Sequence, residues 1–468
     1  MKVPIFKKEM IITTTIKMSL CLLLFFCFAC KSDDNGTFIP HKDLLHGFWF
    51  VADKGYVIEL AENKNVIYNI SSAGCTVLDN DFNIEESGIE LKVVNANELT
   101  GVSQMSLSNL KLTRLQDLNA ICLPDQISKT EDPKINFEHF WSFFNDYYAF
   151  FDLRGVNWST YKNYGNQITK DNFYDVLEDL VLLFEDGHVS ISDDKNDIDI
   201  ESGIPVLIER LNVNLSGDLI IESEEDLGVI LGQKATTIVE KYLEGTFEED
   251  KEWNMLWGTI NNDIMYLNIL GMSGYGTELS NELSSLNLAL DDVMNAIKDS
   301  GISKLIIDIR TNQGGFDKVS SDIAARFVDH ERNVFSKKAR LGNSFTEDQI
   351  ISLGPKGDFQ FTGDIVLLTS PLTASAAEIF TLYVKDLPYV TIVGEHTNGG
   401  FSDILTHVLP NGAEIGLSNE VYSDTKGVVY EGIGIGPAAE NKIPFLSNDD
   451  FINEKDSGIE RAIELLNK

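Results

Sequence analysis

Residues 364–380 read Asp364-Ile-Val-Leu-Leu-Thr369-Ser-Pro-Leu-Thr-Ala-Ser375-Ala-Ala-Glu-Ile-Phe380. The first six residues form a near-continuous apolar run, which predicts a strand buried on both faces. Ser370-Pro371 breaks the run. A helix is expected after Ser375, ending before Pro388. The pattern recurs on both sides. Lys304-Leu-Ile-Ile-Asp-Ile-Arg310 predicts a buried strand, followed by a helix from about Asp317 to Val328. Tyr389-Val-Thr-Ile-Val-Gly394 predicts another, and Ile264-Met-Tyr-Leu-Asn-Ile269 a fourth, with a helix over roughly Leu279 to Lys298. Apolar strands divided by helices imply an α/β domain with a sheet covered on both faces, assigned to residues 262–447. Asn411-Gly412 within it predicts a hairpin turn.

Upstream the period changes. In 134–192 it is helical: Phe137, Phe140, Trp141, Phe144, Tyr148 and Phe151 form one aromatic stripe, read as core packing. A second helix is expected from Asn172 to Glu185, with Gly187 placed to end it. Residues 44–124 show short alternating runs punctuated by turn residues, which predicts a small antiparallel β-domain. Residues 193–261 read as a linking segment and 448–468 as a C-terminal helix.

The 468 residues suit two or three domains. With 73 acidic and 37 basic residues the formal charge is −36. Such a surface repels phosphate backbones, so nucleic-acid binding is not expected, and the charge otherwise serves solubility. Lys2, Lys7, Lys8 and Lys17 precede an apolar run from Met18 to Ala29, too short to span a bilayer but suited to a signal-peptide core. Cys27-Phe-Ala-Cys30 resembles a bacterial lipoprotein processing site. The resemblance implies cleavage before Cys30, lipidation of its thiol and attachment to a lipid bilayer. Residues 1–30 are then the leader and 31–43 a tether, in which Lys31-Ser-Asp-Asp34 resembles the acidic signal of some surface lipoproteins. The expected location is exported, anchored in the outer membrane or on the surface of a Gram-negative-type bacterium. A plain signal peptide or an uncleaved anchor is the alternative. Only Cys75 and Cys122 remain in the body. Export favours a disulfide between them, and buried free thiols stay open as the other reading.

Ser375 stands where a buried strand meets a helix, among Ala374, Ala376 and Ala377. An anion on a carbonyl beside it could use the Ala376 N–H at the helix N-terminus. From this segment alone, a helix N-cap is the more common role for such a Ser. Asp308-Ile-Arg-Thr-Asn-Gln-Gly-Gly315 ends a neighbouring strand, where sites of α/β sheets gather, and Gly314 or Gly315 could supply a second oxyanion donor. A plain turn would also use these glycines. A base is needed. Lys385 is ten residues along the same helix, about 15 Å away, and cannot reach. Among seven histidines, His188 in Glu185-Asp-Gly-His-Val-Ser190 and His396 lead. No His-Glu-x-x-His spacing appears, and no metal or cofactor is implied. Gly432-Ile-Gly-Ile-Gly436 lacks the strand-to-helix context of a phosphate loop.

Together, Asp186-Gly-His188, Asp308 to Gly315, and Thr373-Ala-Ser-Ala-Ala-Glu-Ile379 with Gly394-Glu395 resemble the tail-specific (C-terminal processing) and tricorn-core serine peptidases, in their retinoid-binding-protein-like branch. The resemblance implies a ClpP/crotonase-like α/β fold, a protein or peptide substrate, and Ser375 as nucleophile. It implies His188 as base and Glu431, in Tyr430-Glu-Gly-Ile-Gly-Ile-Gly-Pro437, as the carboxylate that orients it. The family's Ser-Lys plan is excluded, because Gly400 stands where its Lys would be. Two departures stand out. Gly187 replaces the Ser that precedes the His, and Ala438 replaces the Asp after Pro437. Residues 193–261 lack the carboxylate loop of a PDZ module. The rival readings are a catalytically inactive surface lipoprotein of the same fold, binding peptide or a hydrophobic ligand, and an esterase.

Overall fold

The computed structural model describes residues 42–84, 86–118, 122 and 129–468; Cys30, the leader and most of the tether lie outside the described residues. Seven strands form the β-domain: β1 (Gly47–Val51), β2 (Tyr56–Leu60), β3 (Val66–Ser71), β4 (Gly74–Asp79), β5 (Ile89–Asn95), β6 (Glu98–Ser103) and β7 (Asn109–Leu115). They pair antiparallel in the order β4-β3-β2-β1-β7-β6-β5. Alternation buries Trp49, Val51, Ile58, Leu99 and Leu112 in one cluster and Val57, Tyr68, Ile70 and Cys75 in another. Cys75 and Cys122 are joined by a disulfide in the second cluster.

Helix α1 (Pro133–Tyr147) starts with Pro at its first position and Asp132 as cap, accepting the Lys134 N–H at 2.9 Å. Its stripe packs inward: Phe144 lies 4.9 Å from Phe140 and from Phe184, ring to ring, in the core of the helical region. The short α2 (Phe151–Arg154) follows, then α3 (Phe173–Leu182). The left-handed residue after α3 is Glu185 (φ 50°), not the expected Gly187. The turn tightens early because Asp186 points inward, accepting from the His188 N–H (2.9 Å), Ser418 Oγ (3.0 Å) and Tyr148 OH (2.9 Å). Beyond the turn lie β8 (Ser190–Asp193), β9 (Ile198–Glu201), α4 (Ile204–Asn212) and α5 (Glu224–Thr237).

The α/β sheet runs β10 (Glu248–Glu249), β11 (Met255–Ile260), β12 (Ile264–Ile269), β13 (Lys304–Asp308), β17 (Asp364–Thr369) and β18 (Val390–Gly394). From β12 to β18 the pairing is parallel. The sheet therefore begins inside the segment read as a linker. Asn261 and Asn262, both with positive φ, turn β11 back onto β12 as a hairpin. Helices α6 (Glu282–Ser300), α7 (Asp317–Ala324) and α8 (Ala376–Val384) pack on this sheet. Between α7 and β17 come β14 (Arg332–Leu341), β15 (Ser344–Phe345) and β16 (Gln349–Leu353). Strands β19 (Ile404–Val408) and β20 (Glu414–Ser418) join β8 and β9 in an antiparallel sheet, while β21 (Glu420–Asp424) pairs with β14. The C-terminal segment is two helices, α9 (Asn448–Ile452) and α10 (Ser457–Leu466), with Glu454 at φ 47° between them. Among the described residues no helix is long and apolar enough to cross a membrane.

Candidate active site

Strand β17 delivers the chain into a turn that is stitched to the end of β13. Thr373 Oγ1 donates to the Ile309 carbonyl (2.9 Å), and the Ala374 N–H donates to the Asn312 carbonyl (3.1 Å). Ser375 then adopts φ 54°, ψ −125°. N-caps ordinarily sit in the extended region, so this is not the backbone of a plain cap. A non-glycine residue held there costs of order 1–3 kcal/mol and needs surroundings that enforce it. The Ser375 N–H supplies them, donating to the Gly400 carbonyl (3.1 Å) and to Glu378 Oε2 (3.2 Å). Strained serines at strand-to-helix turns are the pattern of nucleophile elbows.

Against this turn lies Gly314. A Cβ on Gly314 would stand 2.7 Å from Ser375 Cβ and 3.0 Å from the Ala376 nitrogen, and φ there is 109°. Only glycine fits. The Gly314 N–H itself donates to Asn312 Oδ1 at 2.9 Å, so that amide already has a partner. Gly315 also has positive φ (141°) and presses on the Met272 carbonyl. Ala376 opens α8, where an N–H has no partner within the helix.

The second half of the site is the loop 396–403, held almost peptide by peptide. Arg210 of α4 donates to the carbonyls of His396 (2.7 Å), Thr397 (2.9 Å) and Asn398 (2.9 Å). Glu378 accepts the N–H groups of Gly399 and Gly400, both at 2.7 Å. Glu431 Oε2 accepts those of Phe401 (2.9 Å) and Ser402 (3.3 Å). Burial pushes Glu378 up to about 7, against the pull of the N–H groups it accepts.

His188 is buried at the edge of this loop. A Cβ on Gly400 would lie 3.6 Å from its Cε1 and 3.8 Å from its Nδ1. The position where the Ser-Lys plan would place a lysine thus faces the imidazole, and Gly400 contacts both His188 and Ser375. Burial lowers the His188 pKa, partly offset by Asp186 and Asp403, so the ring is neutral at neutral pH. Its Nδ1 is buried without a hydrogen-bond partner, as is Glu431 Oε1. Glu431 makes no hydrogen bond to His188 among the described residues. Instead Arg154 Nη2 sits 3.9 Å from both Glu431 Oε1 and Asp186 Oδ2. Burial and the Asp186 charge hold the Glu431 carboxyl well above its usual range.

The other candidates lie apart from this arrangement. His396 Nδ1 bonds the Ile433 carbonyl (3.1 Å), and Lys385 is paired with Asp386 (2.6 Å) and Asp424 (3.0 Å). No group of three or more His, Cys, Asp or Glu among the described residues is placed to hold a metal. Sequence reasoning names neither Arg210 nor Arg154, and it uses Glu378 only as a motif marker. The signal for Glu378 was present, since Ser-x-x-Glu ahead of an apolar run marks a capping box. Arg210, far along the chain in an undistinguished helix, left none.

Residues 263–440 match the model of peptidase family S41. A carboxyl-terminal-processing protease of Synechocystis sp. is 25% identical over 174 residues, which are 37% of this chain and 39% of that protein. The carboxy-terminal processing protease CtpA of Bacillus subtilis is 23% identical over 175 residues, 36% of each. The chain therefore spans well under half the length of these relatives. Among solved structures, a Parabacteroides merdae protein described as a candidate peptidase superposes with a TM-score of 0.59 at 23% identity, covering 72% of this chain and 97% of that one. Mature CPAF superposes with a TM-score of 0.50 at 11% identity, covering 72% and 96%. Both share the fold.

Proposed function

We propose that this chain is a serine peptidase that cleaves exported proteins or peptides through an acyl-enzyme. Ser375 Oγ attacks a peptide carbonyl, and His188 takes its proton as the carbon–oxygen bond forms. His188 then protonates the leaving amine as the C–N bond breaks, and water hydrolyses the ester by the reverse path. The Ala376 N–H and the Gly315 N–H receive the oxyanion; Gly314 shapes the turn, since its own N–H is engaged by Asn312. Glu431 orients the base by holding the Phe401 and Ser402 peptides of the neighbouring loop. The observation that carries the reading is Ser375. Its strained backbone is enforced by Gly400 and Glu378 and is packed against a glycine that no other residue could replace.

Export and anchoring through Cys30 belong to the same proposal and rest on the leader sequence alone. A second reading has support in one observation. His188 Nδ1 and Glu431 Oε1 both lack a hydrogen-bond partner, as in a site that has lost its relay and only binds peptide. Labelling with a fluorophosphonate probe separates the two. The peptidase reading expects labelling of the wild type and none of Ser375→Ala. Labelling that persists in the variant overturns Ser375. No labelling and no peptide cleavage by either protein supports the binder.

A further inference from the structure

The β-domain supplies none of the reacting groups, yet one of its loops touches both halves of the site. Residues 104–108 connect β6 to β7. Ser103 Oγ accepts the N–H groups of Met105 (3.1 Å) and Ser106 (2.9 Å), and Ser106 Oγ accepts that of Ser108 (3.0 Å), so the loop is shaped by its own short side chains. Leu107 is buried in the core of the α/β domain, and Gln349 Nε2 donates to its carbonyl at 2.8 Å. The loop is therefore a wedge set into the neighbouring domain.

From that position it makes two contacts. The Met105 carbonyl accepts the Lys318 N–H (3.0 Å) in the first turn of α7, the helix that opens directly after Gly314-Gly315. The hydroxyls of Ser106 and Ser108 lie 3.0 and 3.1 Å from Asp403 Oδ2. Asp403 ends the loop that holds Gly400, Phe401 and Ser402. Behind it stands a buried charge cluster that welds the domains. Lys337 Nζ bonds Ser108 Oγ (2.7 Å) and Glu420 Oε2 (2.6 Å), and Lys54 of the β-domain bonds Glu420 Oε1 (2.6 Å).

We propose that Ser106 and Ser108 are positioning residues of the site, and that the β6–β7 loop fixes the distance between the Gly314-Gly315 turn and the 396–403 loop beside His188. The proposal rests on the serine-peptidase reading above. Its physical basis is that a displacement of about 1 Å at reacting atoms costs ~10² in rate. The test uses the full chain with Ser106→Ala/Ser108→Ala. The maximal rate and half-saturating concentration of fluorophosphonate labelling are measured, with amide hydrogen exchange at residues 399–402 and the melting temperature. The expected result is a maximal rate about 10- to 100-fold lower, half-saturation within about twofold, and faster exchange at 399–402. Ser106→Thr/Ser108→Thr, which keeps both hydroxyls, restores most of the rate. A lower melting temperature with wild-type rate per folded molecule and wild-type exchange overturns the proposal, because it shows a merely structural role. If the wild type is not labelled, the peptidase reading fails. Exchange at 399–402 then decides the positioning claim alone, and an unchanged pattern sinks it. Should the double variant not fold, Ser106→Ala carries the same readouts, since its side chain is only partly buried.

Discussion

The two halves of the site are built by different means. The nucleophile turn is backbone against backbone: Gly314 under Ser375, Ala374 on Asn312, Ser375 on Gly400. The base half is backbone held by buried ionisable side chains: Arg210, Glu378 and Glu431 on successive peptides of 396–402. A backbone-built part tolerates no added atom, whereas a part held by ionisable groups responds to protonation. The largest expected effect follows from the first property. Gly314→Ala puts a methyl 2.7 Å from Ser375 Cβ at a φ of 109°. Fluorophosphonate labelling should fall at least ~10³-fold, comparable to losing an oxyanion donor, in a protein that still folds. Labelling within tenfold of wild type would show that the turn is not packed as tightly as the contrast demands.

The second property is tested at Glu378. Gln at this position keeps the shape but turns an amide donor toward part of the set of N–H groups, from Ser375, Gly399 and Gly400, that the carboxylate accepts. Labelling should drop about 10- to 100-fold, as expected for a loop displaced by a fraction of an ångström. Stability should respond as well. Glu378 is raised from 4.5 to about 7, so between those values the folded protein binds a proton that the unfolded chain releases. Its contribution is present below pH 4.5 and is lost as pH rises through 7. Chemical denaturation from pH 4.5 to 7 should therefore show the wild type losing up to ~1.4 kcal/mol per pH unit more than Glu378→Gln. Parallel curves for the two proteins would remove the buried carboxylate from the account.

This difference also explains what the sequence made legible. The buried strands were readable from their apolar runs; the Gly314-Gly315 pair and Ser375 stood at strand ends, but from those segments alone a plain turn and a helix cap stayed open, and the resemblance singled Ser375 out. The β-domain was readable from alternation. The supports of the base half were not. Arg210 meets the loop across 186 to 188 residues of chain, and nothing in Ile204-Pro-Val-Leu-Ile-Glu-Arg-Leu-Asn212 announces that contact. Among 73 acidic residues, choosing Glu378 and Asp186 required the fold. Strand β11 was missed because the linker contained no long apolar run, and only its hairpin with β12 assigns it to the sheet.

A smaller effect concerns the base itself. His188 is held neutral by burial, and a general base works only while neutral. The acid limb of the labelling rate should be centred below 6.5. An acid limb centred above 6.5 would mean that Asp186 and Asp403 outweigh burial, and that the charged ring is the resting state.

The smallest expected change comes from repairing the site's clearest departure from the plan of the peptidases it resembles. Gly187 is exposed, and its φ is not in the left-handed range. A Cβ there would meet only Asn398 Oδ1, at 3.4 Å. Gly187→Ser should therefore fold with little change in melting temperature. It would place a hydroxyl in the residue next to His188, whose Nδ1 is buried without a hydrogen-bond partner, as is Glu431 Oε1. If the base half works as a charge-held assembly in which His188 and Glu431 lack only a relay, the added hydroxyl joins them. Labelling should then rise about fivefold, the rate equivalent of one hydrogen bond of about 1 kcal/mol. The same gain should vanish in Gly187→Ser/Glu431→Gln, because the hydroxyl would lose its carboxyl partner. An unchanged rate in the single variant would confine Glu431 to clamping Phe401 and Ser402.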